Sequence, residues 1–238
     1  MTDSLLGGRV RIDQDEAGLR AGLDAVMLAA AVPAKAGMHA LELGVGTGAA
    51  SLCLAARVPG LSLTGVEIDT VLSALARANA AANGASMAVV TADIFHLPAE
   101  LKHGFDQVLC NPPFHGPGQA SPDATRAGAM MDHGLLTAWL KLGLQRTVSG
   151  GYFTAIFRAD RLAEALTALP ERGLAIFPLW PRSGAPASRV ILQVRQGSRA
   201  PGVLLAGLVL HTSDGGWTEA ANSVLRDGAA LALHEARL

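Results

Sequence analysis

Asn111-Pro112-Pro113-Phe114 is a run of residue types that packing alone explains poorly. Two consecutive prolines fix the backbone and remove two N–H donors, which leaves the Asn111 amide oxygen and the Pro112 carbonyl as outward acceptors. Such a pair suits a planar NH2 group, because two hydrogen bonds accepted from its protons hold the nitrogen as it pyramidalises under attack. Phe114 adds a face on which a flat base or amide can stack. The bland alternative is a turn with its aromatic ring packed inward.

Three further segments carry chemistry. Glu42-Leu43-Gly44-Val45-Gly46-Thr47-Gly48 lies between a strand-like run and a helix-like run, where glycines permit a tight turn and let a ligand approach the backbone. Gly44, Gly46 and Ala49 satisfy the dinucleotide pattern GxGxx[GA], and Glu42, Gly44, Gly46 and Gly48 equally form Glu-x-Gly-x-Gly-x-Gly, so a nicotinamide or flavin protein and a methyltransferase both stay open on this loop. Glu67 follows Gly46 by 21 residues, at the end of the second strand, where a carboxylate accepts hydrogen bonds from both hydroxyls of an adenosine ribose. Asp93 ends the third strand; its carboxylate suits an adenine amino group while the Ile94 N–H donates to a ring nitrogen. Its alternative role is an N-cap for the turn that follows.

These segments need strand ends to present them. Strands are expected at Met38–Leu43, Leu61–Glu67, Ala88–Thr91, Gln107–Cys110 and Tyr152–Phe157, the last set off by Gly150-Gly151. Helices are expected at Asp24–Ala31, Ala49–Arg57, Thr70–Ala82, with Asp69 as N-cap and Asn83-Gly84 as stop, Asp132–Arg146 and Arg161–Leu169. A short helix is placed near Pro98–Leu101. Ala175–Trp180 and Arg189–Arg195 are joined by PRSGAPAS, too short for a crossover helix, so they should pair antiparallel. The alternation predicts an α/β fold with a mostly parallel sheet, one antiparallel strand near its edge, and helices on both faces. From Val203 a strand-like VLLAGLVLH and a short helix after Thr218 extend the same domain, with Trp217 read as an anchor for the tail in preference to a base-stacking platform.

Composition agrees with one domain over residues 1–238. Half the residues are hydrophobic but only 4% are aromatic and 16% charged, which argues against disorder and for a core of Ala, Leu and Val. No apolar run reaches the roughly 18–20 residues a membrane span needs, and the first residues lack the layout of a secretory signal, so a cytoplasmic protein without membrane contact is expected. Cys53 and Cys110 have no CxxC or Cys/His spacing and read as buried thiols; the seven histidines show no ligand spacing, so no metal is implied. The net charge of −1 hides an asymmetry: Lys141 to Arg199 holds nine basic and three acidic residues, hence +6, against −7 elsewhere. An arginine-dominated segment beside the site would suit a phosphate backbone.

Taken together, Glu42 to Gly48, Glu67, Asp93 and Asn111 to Phe114, in this order and on these strand ends, resemble the class I S-adenosylmethionine-dependent methyltransferases, in the branch that methylates exocyclic amino groups. The resemblance covers about residues 38–195, with 1–37 and 196–238 as extensions. Within the branch, the opening LLGGRVRIDQDEAGLRAGLDAVMLAA resembles the bacterial tRNA adenine methyltransferases that modify an anticodon-loop adenine of a valine tRNA. The resemblance implies a Rossmann-like, seven-stranded fold and S-adenosyl-L-methionine as cofactor, with S-adenosyl-L-homocysteine as product. It implies that Gly44, Gly46 and Gly48 pass under the methionine part, with Glu42 beside them, that Glu67 holds the ribose and Asp93 with Ile94 the adenine, and that Arg20 and Asp24 meet the methionine carboxylate and amine. Asn111, Pro112 and Phe114 would be catalytic, and Asn111, Pro113, Phe114, His115 and Arg182 would bind the substrate. The expected reaction is N6-methylation of adenine in tRNA. Glutamine methylation in a protein, amino methylation in rRNA, and an inactive cofactor-fold binding module are the alternatives.

Overall fold

The computed structural model describes residues 2–14, 22–102, 104–113 and 134–233. The central sheet is built in chain order from β3 (His39–Leu43), β4 (Ser62–Glu67), β5 (Met87–Thr91), β6 (Phe105–Cys110), β7 (Thr147–Arg158), β8 (Leu174–Arg182) and β9 (Arg189–Arg195). Their spatial order is β8-β9-β7-β6-β3-β4-β5, parallel throughout except for β9, which runs antiparallel to both β7 and β8. The order reverses at β3, the first strand laid down, and a crevice opens there at the carboxyl ends of β3 and its neighbour β6.

Helices α1 (Leu23–Ala31) and α2 (Ala49–Arg57) cover one face, where Met27, Leu28, Leu52 and Leu54 pack with Leu109 and Ile156. Helix α4 (Leu135–Arg146) covers the other, with Trp139 and Leu140 against Leu41, Val108, Phe153 and Phe157. Val108 and Leu109 fall in opposite cores because successive side chains of a strand point to opposite faces. Helix α3 (Thr70–Ala82) begins where expected: Asp69 Oδ1 accepts from the N–H groups of Val71 and Leu72 at 2.8 and 2.9 Å. Cys53 and Cys110 are both buried and free, and burial pushes the Cys53 thiol up to about 12. No described helix is long and apolar enough to cross a membrane.

Four expectations change. The extension before β3 holds a hairpin, β1 (Thr2–Leu5) with β2 (Val10–Asp13), that the sequence reading did not anticipate. It is carried by two asparagines of α3: the Asp13 and Arg11 N–H groups donate to Asn79 Oδ1 and Asn83 Oδ1, each at 2.9 Å. Gly150-Gly151 do not precede β7 but lie inside it; they pair with Gln196 beyond β9 while the pairing with β6 is irregular between Phe105 and Gln107. The helix expected over Arg161–Leu169 shortens to a 3-10 turn at Ala159–Arg161 and one turn, α5 (Leu162–Leu166).

The tail's strand-like run divides into β10 (Val203–Leu204) and β11 (Leu208–His211), both parallel to β8 and extending the seven-stranded sheet at its edge. Gly207 makes the break, with φ +80° and no room for a Cβ, which would stand 2.2 Å from the Pro178 carbonyl oxygen. Thr218 then caps α6 (Glu219–Asn222).

Candidate active site

A cavity of about 890 Å3 opens at the carboxyl ends of β3, β4, β5 and β6 and is closed at the sides by the first turn of α1 and by Trp139 of α4. Its floor is the β3–α2 loop. Gly44 (φ +68°) is required by packing, since a Cβ would meet the Trp139 ring at 2.6 Å. Gly46 (φ +54°) has nothing within 4 Å of where a Cβ would stand, so its backbone faces open space. The Gly46 N–H donates to Glu67 Oε2 at 2.9 Å and the Asp69 N–H to Oε1 at 3.0 Å. Glu67 is only 8% exposed, and each carboxylate oxygen keeps acceptor capacity beyond these bonds.

Glu42 is 3% exposed, and its Oε2 accepts from both the N–H and the hydroxyl of Ser51, on the first turn of α2. Burial pushes its carboxyl up to about 8; the Ser51 hydrogen bonds oppose the rise and the nearby Glu67 charge adds to it. Asp93 lines the cavity but also caps its own turn: Oδ1 accepts from the Phe95 N–H at 2.9 Å and Oδ2 lies 2.7 Å from His96 Nδ1. The Phe95 N–H and then His96 hold its carboxyl below the usual range. Cavity wall and cap thus coexist in one residue, with Ile94, Ile68 and Leu72 as apolar neighbours along the same wall.

Asn111, Pro112 and Pro113 reach the cavity from the end of β6. Asn111 Oδ1 is buried and has no hydrogen-bond partner among the described residues, a state that costs about 1–3 kcal/mol unless a donor arrives. Phe114, His115 and Arg20 lie outside the described residues. Asp24 is brought to the cavity by α1, and its partner is Arg189, whose Nε donates to Oδ2 at 2.8 Å.

Arg189 is a cavity residue that sequence reasoning missed. The signal was available: β9 alone runs against its neighbours, so its first residue, rather than its last, stands at the carboxyl edge. Arg182 does not line the cavity. Leu179 is paired with Arg189, and three residues further along β8 the side chain falls on the opposite face.

The basic segment is likewise not one lobe. Arg158, Arg161, Arg182 and Arg189 lie at the carboxyl edge, whereas Arg146, Arg172, Arg195 and Arg199 lie at the amino edge, where β7 and β8 begin and β9 ends. At the carboxyl edge most of the charge is already compensated, Arg158 by Asp160, Arg161 by Glu164 and Arg189 by Asp24.

A parallel sheet with a single antiparallel strand beside its edge, a glycine loop after β3 and an acidic residue ending β4 make up the class I methyltransferase fold, and this chain has that fold. The methyltransferase small domain matches residues 21–133. A tRNA1(Val) (adenine(37)-N6)-methyltransferase of Porphyromonas gingivalis is 39% identical over 137 residues, 54% of each chain, so the match spans about half the length of that relative. One of the same description from Aeromonas hydrophila is 26% identical over 87% of this chain and 89% of its own. A solved structure from Agrobacterium tumefaciens, described as a predicted O-methyltransferase, superposes with a TM-score of 0.74 at 28% identity, covering 89% of this chain and 99% of that one. Class I methyltransferases use S-adenosylmethionine as methyl donor.

Proposed function

We propose that the protein transfers a methyl group from S-adenosylmethionine to an exocyclic amino nitrogen, N6 of an adenine in tRNA. The observation that carries this reading is the buried Asn111 Oδ1 on the wall of the cavity, an acceptor without a donor among the described residues. An amino group supplies two N–H donors; an alkoxide or phenolate acceptor would supply none and leave Asn111 as costly as before. That chemistry favours nitrogen over oxygen as the methylated atom, and the names of the tRNA1(Val) relatives supply the nucleotide and the RNA class.

The residues present fit the cofactor. Glu67 has acceptor capacity left on both oxygens for a pair of ribose hydroxyls, and Ile68, Leu72, Ile94 and Phe95 provide an apolar slot with Asp93 at its polar edge. Gly46 lets the ligand lie on bare backbone, and Asp24 and Glu42 are the acceptors available to an α-ammonium group. Bound S-adenosylmethionine supplies a methyl group already activated by the sulfonium charge. The protein's task is therefore to position and polarise the acceptor.

Asn111 Oδ1 and the Pro112 carbonyl accept from the two amino protons and fix the nitrogen in the geometry of attack. The same two bonds favour rehybridisation, because they strengthen as the protons become more acidic, which is stabilisation of the transition state rather than of the bound substrate. No strong base is needed, since the methylated nitrogen is a far stronger acid than the amino group and its proton leaves to water.

The test is incubation with methyl-labelled S-adenosylmethionine and, separately, tRNA, rRNA and protein from cells lacking the gene. Label is expected in tRNA, recovered after digestion as N6-methyladenosine. Label in the protein fraction would move the acceptor to a glutamine amide, and label in rRNA would change the RNA class. Asn111→Ala should lower the rate at least 100-fold, while the affinity for S-adenosylhomocysteine, measured by calorimetry, changes less than threefold, in keeping with loss of one or two acceptor bonds made in the transition state. Equal loss of both would remove Asn111 from the acceptor site.

A further inference from the structure

The edge of the sheet beyond β8 carries an aromatic platform that the cavity does not use. Trp217 stacks on His211 with ring centroids 4.2 Å apart and planes 27° from parallel, and the Trp217 residue remains 42% exposed. The backbone holds this pair in place: the Thr212 N–H donates to the Gly216 carbonyl and the Thr218 N–H to the Leu210 carbonyl, both at 2.9 Å, and Thr218 Oγ1 donates to the Val209 carbonyl at 2.7 Å. His211 Nδ1 is buried without a partner among the described residues, and the ring is held against Trp217 by stacking.

Arg182 is the register partner of His211 on β8, so the two side chains share a face of the sheet. Arg182 is exposed and forms no ion pair among the described residues, unlike Arg158, Arg161 and Arg189 along the same edge. The acidic neighbours are Asp214, whose carboxylate accepts from Thr212 Oγ1 and the Gly216 N–H within its own turn, and Glu219 in the first turn of α6. A phosphate is therefore favoured at Arg182, and a flat uncharged ring at Trp217.

Every nucleobase has a π-face, and stacking on an exposed tryptophan beside a cation is the recognition chemistry of single-stranded nucleic acid. His211 lies at the same end of the sheet as Asn111, four strand spacings away, on the order of 20 Å, with Trp217 one spacing further out. We infer that Trp217, backed by His211 with Arg182 on the next strand beyond, is a second substrate subsite, on which an unpaired base of the RNA loop stacks a few nucleotides from the target adenine. This rests on the RNA-methylating reading given above. It accounts for the placement of Arg182 outside the cavity.

The test uses the full-length protein saturated with S-adenosylhomocysteine and a fluorescently labelled anticodon stem–loop RNA, with binding followed by anisotropy over a range of salt. Trp217→Ala should weaken RNA binding roughly tenfold without changing the salt dependence, and Trp217→Phe should restore most of it. Arg182→Gln should lower the salt slope by about one. Affinity for S-adenosylhomocysteine should be the same in all four proteins.

Wild-type RNA affinity in Trp217→Ala would overturn the subsite, as would a loss shared by Trp217→Phe and accompanied by a fall in melting temperature, which marks a structural role. A wild-type protein that methylates RNA while Trp217→Ala is indistinguishable from it sinks the subsite alone. A wild-type protein that binds S-adenosylhomocysteine but neither binds nor methylates RNA overturns the RNA reading, and the subsite with it.

Discussion

At the scale of single residues, the cavity holds two polar groups in costly states, the buried carboxyl of Glu42 and the oxygen of Asn111, unpartnered among the described residues. Glu42 has a measurable consequence for stability. Its carboxyl is pushed from 4.5 up to about 8 on folding, so the folded protein binds the proton more tightly than the unfolded chain does. Stability from this source is full below pH 4.5 and is lost progressively as the pH rises to about 8. Wild-type protein should therefore melt several degrees lower at pH 8.5 than at pH 6, and Glu42→Gln, which cannot titrate, should show a smaller drop; identical drops would mean that Glu42 does not carry the linkage. Glu42, Glu67, Asp93 and Asn111, which all line the cavity, were legible because each lies at or just past the carboxyl end of a strand, and strand ends show in the sequence. The partner choices of Glu42 and Asp93 were not, because Ser51 and His96 become neighbours only when the helix and the turn form.

At the scale of elements, α3 does more than cross between β4 and β5. Asn79 is buried within its Ala-rich run, and its Nδ2 donates to the Thr47 carbonyl at 2.9 Å, in the glycine loop, and to the Asp13 carbonyl at 3.0 Å, in the hairpin. One amide thus ties the amino-terminal hairpin to the cavity floor. Asn79→Ala leaves the Asp13 N–H and two carbonyls without these partners, so urea unfolding should show a loss of about 2 kcal/mol or more. Affinity for S-adenosylhomocysteine should fall as well, because the loop loses an anchor; full affinity would show that the loop is held by β3 and α2 alone. The strands of the sheet were readable from apolar runs between turn residues, and the antiparallel pairing of β8 and β9 from the length of their junction. The hairpin was missed since TDSL and VRID are short and polar enough to read as a tail, and their hydrogen-bond partners lie some 70 residues further on.

At the scale of the whole molecule, the arginine-rich stretch between Lys141 and Arg199 is divided between the two ends of the sheet, because β7 and β8 run one way and β9 the other. On the function proposed above, RNA docked with its target base at Asn111 would meet the carboxyl edge. Arg158→Gln, which removes a cation already paired with Asp160, should accordingly lower the slope of log affinity against log salt by less than Arg182→Gln does, while Arg199→Gln, at the amino edge, should leave both slope and affinity unchanged. Equal effects of the two substitutions would place RNA on a surface that spans both ends. The charge count of a sequence segment therefore overstated the electrostatic footprint at the site, where Asp24, Asp160 and Glu164 compensate three of the four arginines.

What the sequence determined by itself is what depends on local order: the strand and helix periodicities, the glycine loop after β3, carboxylates at the ends of strands, and two prolines after an asparagine. These properties survive in a list of residues because their physics acts over a few positions along the chain. The tertiary structure alone decided the pairing of Arg189 with Asp24 across 165 residues, the removal of Arg182 to the far face, the splitting of the basic segment, and the stacking of Trp217 on His211. Each of these follows from strand direction or register, and in a sheet a single reversal of direction carries a residue from one end of the molecule to the other.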